Sequence, residues 1–172
     1  MTLGFLATLR AKSLTQISGS TDMTTSTIEI PGGTFDLQAG TLQGRTGRIK
    51  ANLTAAGTVV LDGYANRQLI VYGDFEATAG STIRDTFTNG NGPWEGGTVR
   101  VLGRATLGGT LDVTADVGFA PDPDFSSTIV NDTNAGEPPV ITGTFSTVNL
   151  PTVPGRTPAL SYNDTTVDLV IP

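Results

Sequence analysis

The chain has no cysteine and no histidine. The first absence excludes disulfides, thiol nucleophiles and thiolate metal sites, and the second removes the commonest general base and metal ligand. Aromatic residues make up 6% and charged residues 15% of the 172 positions, so solubility rests on hydroxyl groups and a net charge of -6. The ten Lys and Arg are scattered along the sequence and outnumbered by sixteen Asp and Glu. That balance argues against a nucleic-acid partner, since neutralising phosphates takes a clustered excess of cations. Long apolar runs are missing as well: nothing approaches the roughly 18 residues of a membrane helix, and no membrane insertion is expected. The opening MTLGFLATLRAKS has a short apolar patch (Leu3, Phe5, Leu6, Leu9) before Arg10 and Lys12, without the basic start and long apolar core of a secretory leader. The chain is expected either to be a mature fragment with an added Met or to reach its destination by assembly.

What is abundant is glycine, threonine and valine. A length near 150 residues buries roughly two-thirds of the unfolded surface, which predicts one domain with an appendage at most. The stretch from Gly97 to Thr114, GTVRVLGRATLGGTLDVT, sets short alternating apolar residues (Val99, Val101, Leu107, Leu111, Val113) between glycine turns. Its Gly-Thr step recurs at Gly33-Thr34, Gly40-Thr41, Gly57-Thr58, Gly109-Thr110 and Gly143-Thr144, a turn glycine followed by a β-branched strand opener. Gly97 and Gly109 are expected to hold corners with positive φ. Thr27, Thr34, Thr41 and Arg48 fall seven apart, each followed by an apolar residue. Strands this short fit the sides of a solenoid, three sides totalling about 21 residues. Ile28, Ile30, Phe35, Leu37, Leu42 and Ile49 then point inward with Val99, Val101, Leu111 and Val113.

Residues 3–12 are the best helix candidate, because Leu3, Leu6 and Leu9 recur every third position. Residues 1–26, with a Ser/Thr-rich lead-in, read as an arm or cap; residues 27–125 read as the repeat region; residues 126–172 read as a C-terminal β-hairpin cap of antiparallel strands. Between Gly73 and Gly97 the spacing is interrupted by NGNGP, which demands an excursion. Trp94 stands beside it, either as an exposed contact for a glycan or partner or folded back as a plug. Asp116, Asp122 and Asp124 suggest a calcium clip only loosely, since the glycine and terminal glutamate of an EF-hand loop are missing. No metal and no cofactor is expected.

GTFDLQAGTLQG resembles the β-strand repeats of autotransporter passengers and filamentous-haemagglutinin-like bacterial surface proteins. The run LGGTLDV, a loop ending in Phe125, and the strand VITGTFSTVNLP are similar to the unit that closes many such arrays. The likeness spans about residues 30–172. It implies a right-handed parallel β-helix with an adhesive or scaffolding role, although the translocator barrel of such proteins has no counterpart here. A polysaccharide-acting enzyme on the same scaffold would draw on Asp62, Asp74, Asp85, Arg84 and Arg100, whose carboxylate separations are not legible in sequence. An ice-binding face would need a flat face of regularly repeated Thr-x-Thr, a ladder that the Gly-adjacent threonines are not expected to form. Asn52, Asn131 and Asn163 open Asn-x-Thr sequons. The expectation is an all-β chain, a parallel β-helix with antiparallel C-terminal strands, with a β-sandwich or jelly roll as the alternative. The expected function is non-catalytic display on a bacterial surface, adhesive or scaffolding, with a bacteriophage decoration, fibre or tail component as the alternative. The expected partners are further copies of the chain, as a homo-oligomer or lattice (a trimer if viral), and a surface glycan or host protein.

Overall fold

Alternating apolar and polar side chains, interrupted every few residues by Gly, Asn, Asp or Pro, favour many short strands over few long ones. A computed structural model describes residues 1–4, 6–61, 67–88, 94–133 and 141–172. In chain order the strands are β1 (Thr8–Arg10), β2 (Leu14–Gln16), β3 (Ser20–Asp22), β4 (Thr27–Leu37), β5 (Thr41–Gln43), β6 (Arg48–Ala55), β7 (Thr58–Val60), β8 (Gln68–Val71) and β9 (Phe75–Ala77). They continue as β10 (Thr82–Phe87), β11 (Thr98–Val101), β12 (Ala105–Leu107), β13 (Thr110–Ala115), β14 (Phe125–Asp132), β15 (Ile141–Gly143), β16 (Thr147–Asn149), β17 (Ala159–Tyr162) and β18 (Thr166–Ile171). The described residues are all-β and contain no helix.

Two sheets hold these strands. One is six-stranded and parallel, with β3, β5, β7, β10, β13 and β16 side by side in chain order. The larger has two runs of parallel neighbours. The first contains β1, the start of β4, the start of β6, β8, β11 and β14; the second contains β2, the rest of β4, the rest of β6, β9, β12 and β15. β4 and β6 belong to both runs. β4 turns between them at Pro31, which lacks a donor, and Gly32, whose φ of 67° a side chain would resist.

The threonine spacing is the geometry of this path. Thr27 opens β4, Thr34 begins its second part, Thr41 opens β5, and Arg48 pairs back onto Thr27, 21 positions along. Later the register offset grows, Gln68 pairing with Thr98 across the longer segment that carries NGNGP. Thr88 and Glu95 exchange backbone hydrogen bonds of 3.1 and 3.2 Å, closing the ends of that excursion; its residues 89–93 lie outside the described residues. The inward positions follow the alternation: Ile28, Ile30, Phe35, Leu37, Leu42, Ile49, Val99, Val101 and Leu111 are fully buried, and Val113 nearly so. They join one apolar core running through both sheets.

Several expectations are corrected. The described residues among 3–12 form no helix; Leu9 sits in β1 opposite Ile28, so the leucine spacing yields to strand pairing along β4. Phe5 lies outside the described residues. Residues 8–22 do not reach outward as an arm, because β1, β2 and β3 are strands of the sheets, and Thr2 bridges Asp22 while the Met1 amine donates to the Ser20 carbonyl. Pairing likewise runs through the expected boundary at residues 125 and 126. β14, β15 and β16 continue the parallel runs, and among the strands of the described residues antiparallel pairing joins β14 with β18 and β18 with β17. An antiparallel sandwich or jelly roll does not fit parallel neighbours from β1 to β16. Gly109 has φ of 67°, but Gly97 is not among the positive-φ residues; buried, it donates its backbone N–H to Asp85. Gly143-Thr144 ends a strand, whereas Gly33-Thr34 lies within β4 and the remaining Gly-Thr steps open strands.

Candidate functional site

A cleft of about 560 Å³ runs beside the end of β13 and the segment after β16, lined by Asp112, Thr114, Asp116, Phe119, Asn149 and Leu150 among others. Behind it the chain gathers four rings. Phe87, at the inward end of β10, lies 5.8 Å from Phe119 and 5.7 Å from Phe125, and Phe119 and Phe125 meet edge-on at 6.1 Å. Trp94 is half-buried and stands perpendicular to Phe119 at 4.8 Å. Such edge contacts contribute about 0.5–1.5 kcal/mol beyond simple burial. The indole is therefore folded back onto the flank of the core, with part of its surface left to solvent. The cleft itself combines hydroxyl, amide and carboxylate groups with an apolar wall, a lining that accepts hydrogen bonds and holds no evident nucleophile–base pair.

The acidic and basic residues singled out from the sequence do not form one constellation. Asp62 lies outside the described residues. Asp74, exposed at the turn before β9, accepts the Arg104 backbone N–H at 2.8 Å, and its own N–H donates to Asn52 Oδ1 at 2.9 Å. Asn52 and Asp74 thus each cap the next pass of the chain at the same corner. Their 22-residue separation matches the local register offset, which is the signal that a sequence reading lacks without the register. Asp85 is fully buried in β10, where Oδ1 accepts the Gly97 and Thr86 N–H groups, both at 2.9 Å. A Cβ at Gly96 would come within 2.4 Å of its other oxygen. Arg84, outward on the same strand, pairs with Asp112 at 3.1 Å, and Arg100 donates to Thr133 Oγ1. These acids hold backbone together. Among the described residues no three acidic side chains converge as a cation site, and Asp116, Asp122 and Asp124 are no exception. Arg156 ties that loop instead, donating from Nη1 to the Pro121 and Asp122 carbonyls.

One hydroxyl row forms, without a Thr-x-Thr ladder: Ser20, Thr41, Thr58, Thr82, Thr110 and Thr147 are successive partners across the six-stranded sheet. The row two positions along is mixed (Asp22, Gln43, Val60, Arg84, Asp112, Asn149), so the hydroxyls stand in single file. Of the sequon asparagines, Asn52 serves the corner, Asn131 lies in β14, and Asn163 donates to Thr166 and Asp168 beside the last hairpin. Glu29 is held below the usual carboxylate range, first by the Lys50 hydrogen bond and charge, and burial pushes the Tyr162 phenol up. A scan of protein-family models finds no match for the chain, and no curated protein matches it closely.

Proposed function

We propose that the chain is a three-sided parallel β-helix serving as a non-catalytic adhesive or scaffolding element on a bacterial surface. The observation that carries the reading is the repeated path: first run, second run, six-stranded sheet, and back one strand further along, from β1 to β16. A path of this kind makes a stiff rod with long outer faces and an apolar interior, which suits display and contact better than turnover. The commitment of Asp74 and Asp85 to backbone donors is in keeping with a non-catalytic role. Localisation outside the cell follows from the same reading.

Self-assembly is part of the proposal. β16 is exposed at all three positions on the edge of its sheet, with Val148 40% exposed, while Met1, Leu6 and Ile17 are exposed near β1 to β3. Open edges and apolar ends favour contact with another copy, in a cellular lattice or in a virion fibre or decoration protein. Light scattering over micromolar concentrations is the test. Assembly is the expected result, and a strictly monomeric chain would remove this part of the reading. Mass spectrometry of bacterial surface fractions against purified virions separates the two settings.

A further inference from the structure

Charge is unevenly divided among the three outer faces. On the first run, Arg10, Arg48, Lys50 and Arg100 are exposed, with Lys12 just beyond β1; these are half of the ten basic residues in the chain. Glu29 is the carboxylate among them, and it is already shared between Lys50 at 2.7 Å and Arg10 at 3.5 Å. Lys12 and Arg48 have no ion-pair partner among the described residues. The second run instead presents Asp36 and Glu76, with Arg104 just before β12, and the six-stranded sheet presents Asp22 and Asp112 with Arg84, and Arg45 just beyond β5. A chain of net charge -6 thus carries one cationic strip.

The register orders that strip. Arg10, Glu29 and Lys50 are successive partners, and so are Arg48, Ile70 and Arg100. Arg48 and Arg100 therefore stand two strand spacings apart, about 9.6 Å. Tyr72, two residues beyond Ile70 and 43% exposed, lines a groove of about 380 Å³ with Gly32, Gly33, Lys50 and Asn52. A neighbouring groove of about 420 Å³ is lined by Arg10, Ala11, Lys12 and Pro31.

We infer that this strip binds an acidic polysaccharide lying along the stack of strands, its anionic groups meeting the cations and one pyranose ring stacking on Tyr72. An extended 1,4-linked sugar chain advances by close to one strand spacing per residue, so cations two strands apart face alternate sugars. A glycine-lined groove beside a single exposed ring admits a pyranose. A duplex nucleic acid is wide enough to meet the acidic neighbouring faces, which repel it. The inference rests on the adhesive reading and names its partner class.

Calorimetry on the full chain is the test, with sodium polygalacturonate and dextran sulfate as carboxylate and sulfate probes, and with neutral dextran and duplex DNA for comparison. Binding to at least one acidic polysaccharide is expected, weakening between about 50 and about 300 mM salt, with none to dextran. R48Q/R100Q weakens it by about tenfold or more, Y72A weakens it while Y72F does not, and R84Q leaves it unchanged. Circular dichroism confirms that each variant is folded. No binding to either polyanion at low salt, equal losses in R84Q and R48Q/R100Q, or tighter binding to DNA would overturn the inference. Adhesion to cell-surface preparations by a chain that ignores both polyanions overturns this inference alone; loss of both overturns the adhesive reading as well.

Discussion

Gly109 shows how single residues hold the path. Its φ is 67°, and a Cβ there would sit 2.4 Å from the Ser81 carbonyl oxygen and 2.6 Å from that of Thr78. Both obstacles are backbone, which cannot swing aside as a side chain does. Gly155 has a similar φ of 74° with nothing within 4 Å. The left-handed conformation alone costs a non-glycine residue about 1–2 kcal/mol, so G155A is expected to lose about that much. G109A adds the overlap and is expected to exceed it by at least about 1 kcal/mol. Urea denaturation of the two variants checks this, and equal losses would remove the close-approach argument. The Gly-Thr step made Gly109 legible in the sequence. Gly97 looked the same but serves differently: its N–H reaches a carboxylate twelve residues upstream, a contact that local spacing does not encode.

Strand pairing is where sequence patterns lose their reach. Alternation told which side of β4, β6 and β11 faces the core, and equal turns between Thr27 and Arg48 gave the path length. Alternation is indifferent to strand direction, so the parallel pairing of β15 and β16 was hidden behind their turn-rich flanks. The cationic strip was hidden for a related reason: Arg10, Lys50 and Arg100 come onto one face only through register offsets that change from pass to pass. The Glu29–Lys50 pair across β4 and β6 gives this register a measurable consequence. Lys50 hydrogen-bonds the carboxylate and attracts it, with a smaller contribution from Arg10, so the folded pKa lies below the ordinary 4.5. A depressed carboxylate pKa stabilises the fold above the unfolded value and loses that contribution as pH falls through the folded value. The stability gap between the native chain and E29Q is therefore expected to be level above about pH 4.5 and to shrink below it. Denaturation midpoints across acid pH check this, and a gap that widens on acidification would contradict it.

At the scale of the molecule, the proposed function depends on one claim: each pass of the chain adds one strand to each face, so that distance along the rod counts passes and not residues. The hydroxyl row reports that count, running Ser20, Thr41, Thr58, Thr82, Thr110, Thr147 along the six-stranded sheet. The antiparallel strands β17 and β18 then cover the open side of β14 and bury Val167, Leu169 and Ile171, closing the first face, while among the described residues β16 ends its sheet with no strand beyond it. The first run gathers half of the basic residues, and on the proposed rod that is the side for an anionic partner. Because the native chain has no cysteine, an introduced pair is the only attachment point for spin labels. With a strand spacing of about 4.8 Å, labels at Ser20 and Thr82 stand three spacings apart, about 14 Å, and labels at Ser20 and Thr147 five apart, about 24 Å. Dipolar EPR on these two double variants is the most direct test. A path that adds one strand per pass predicts a Ser20 to Thr147 distance longer than the Ser20 to Thr82 distance by about two strand spacings, and an equal or shorter one would rule that path out.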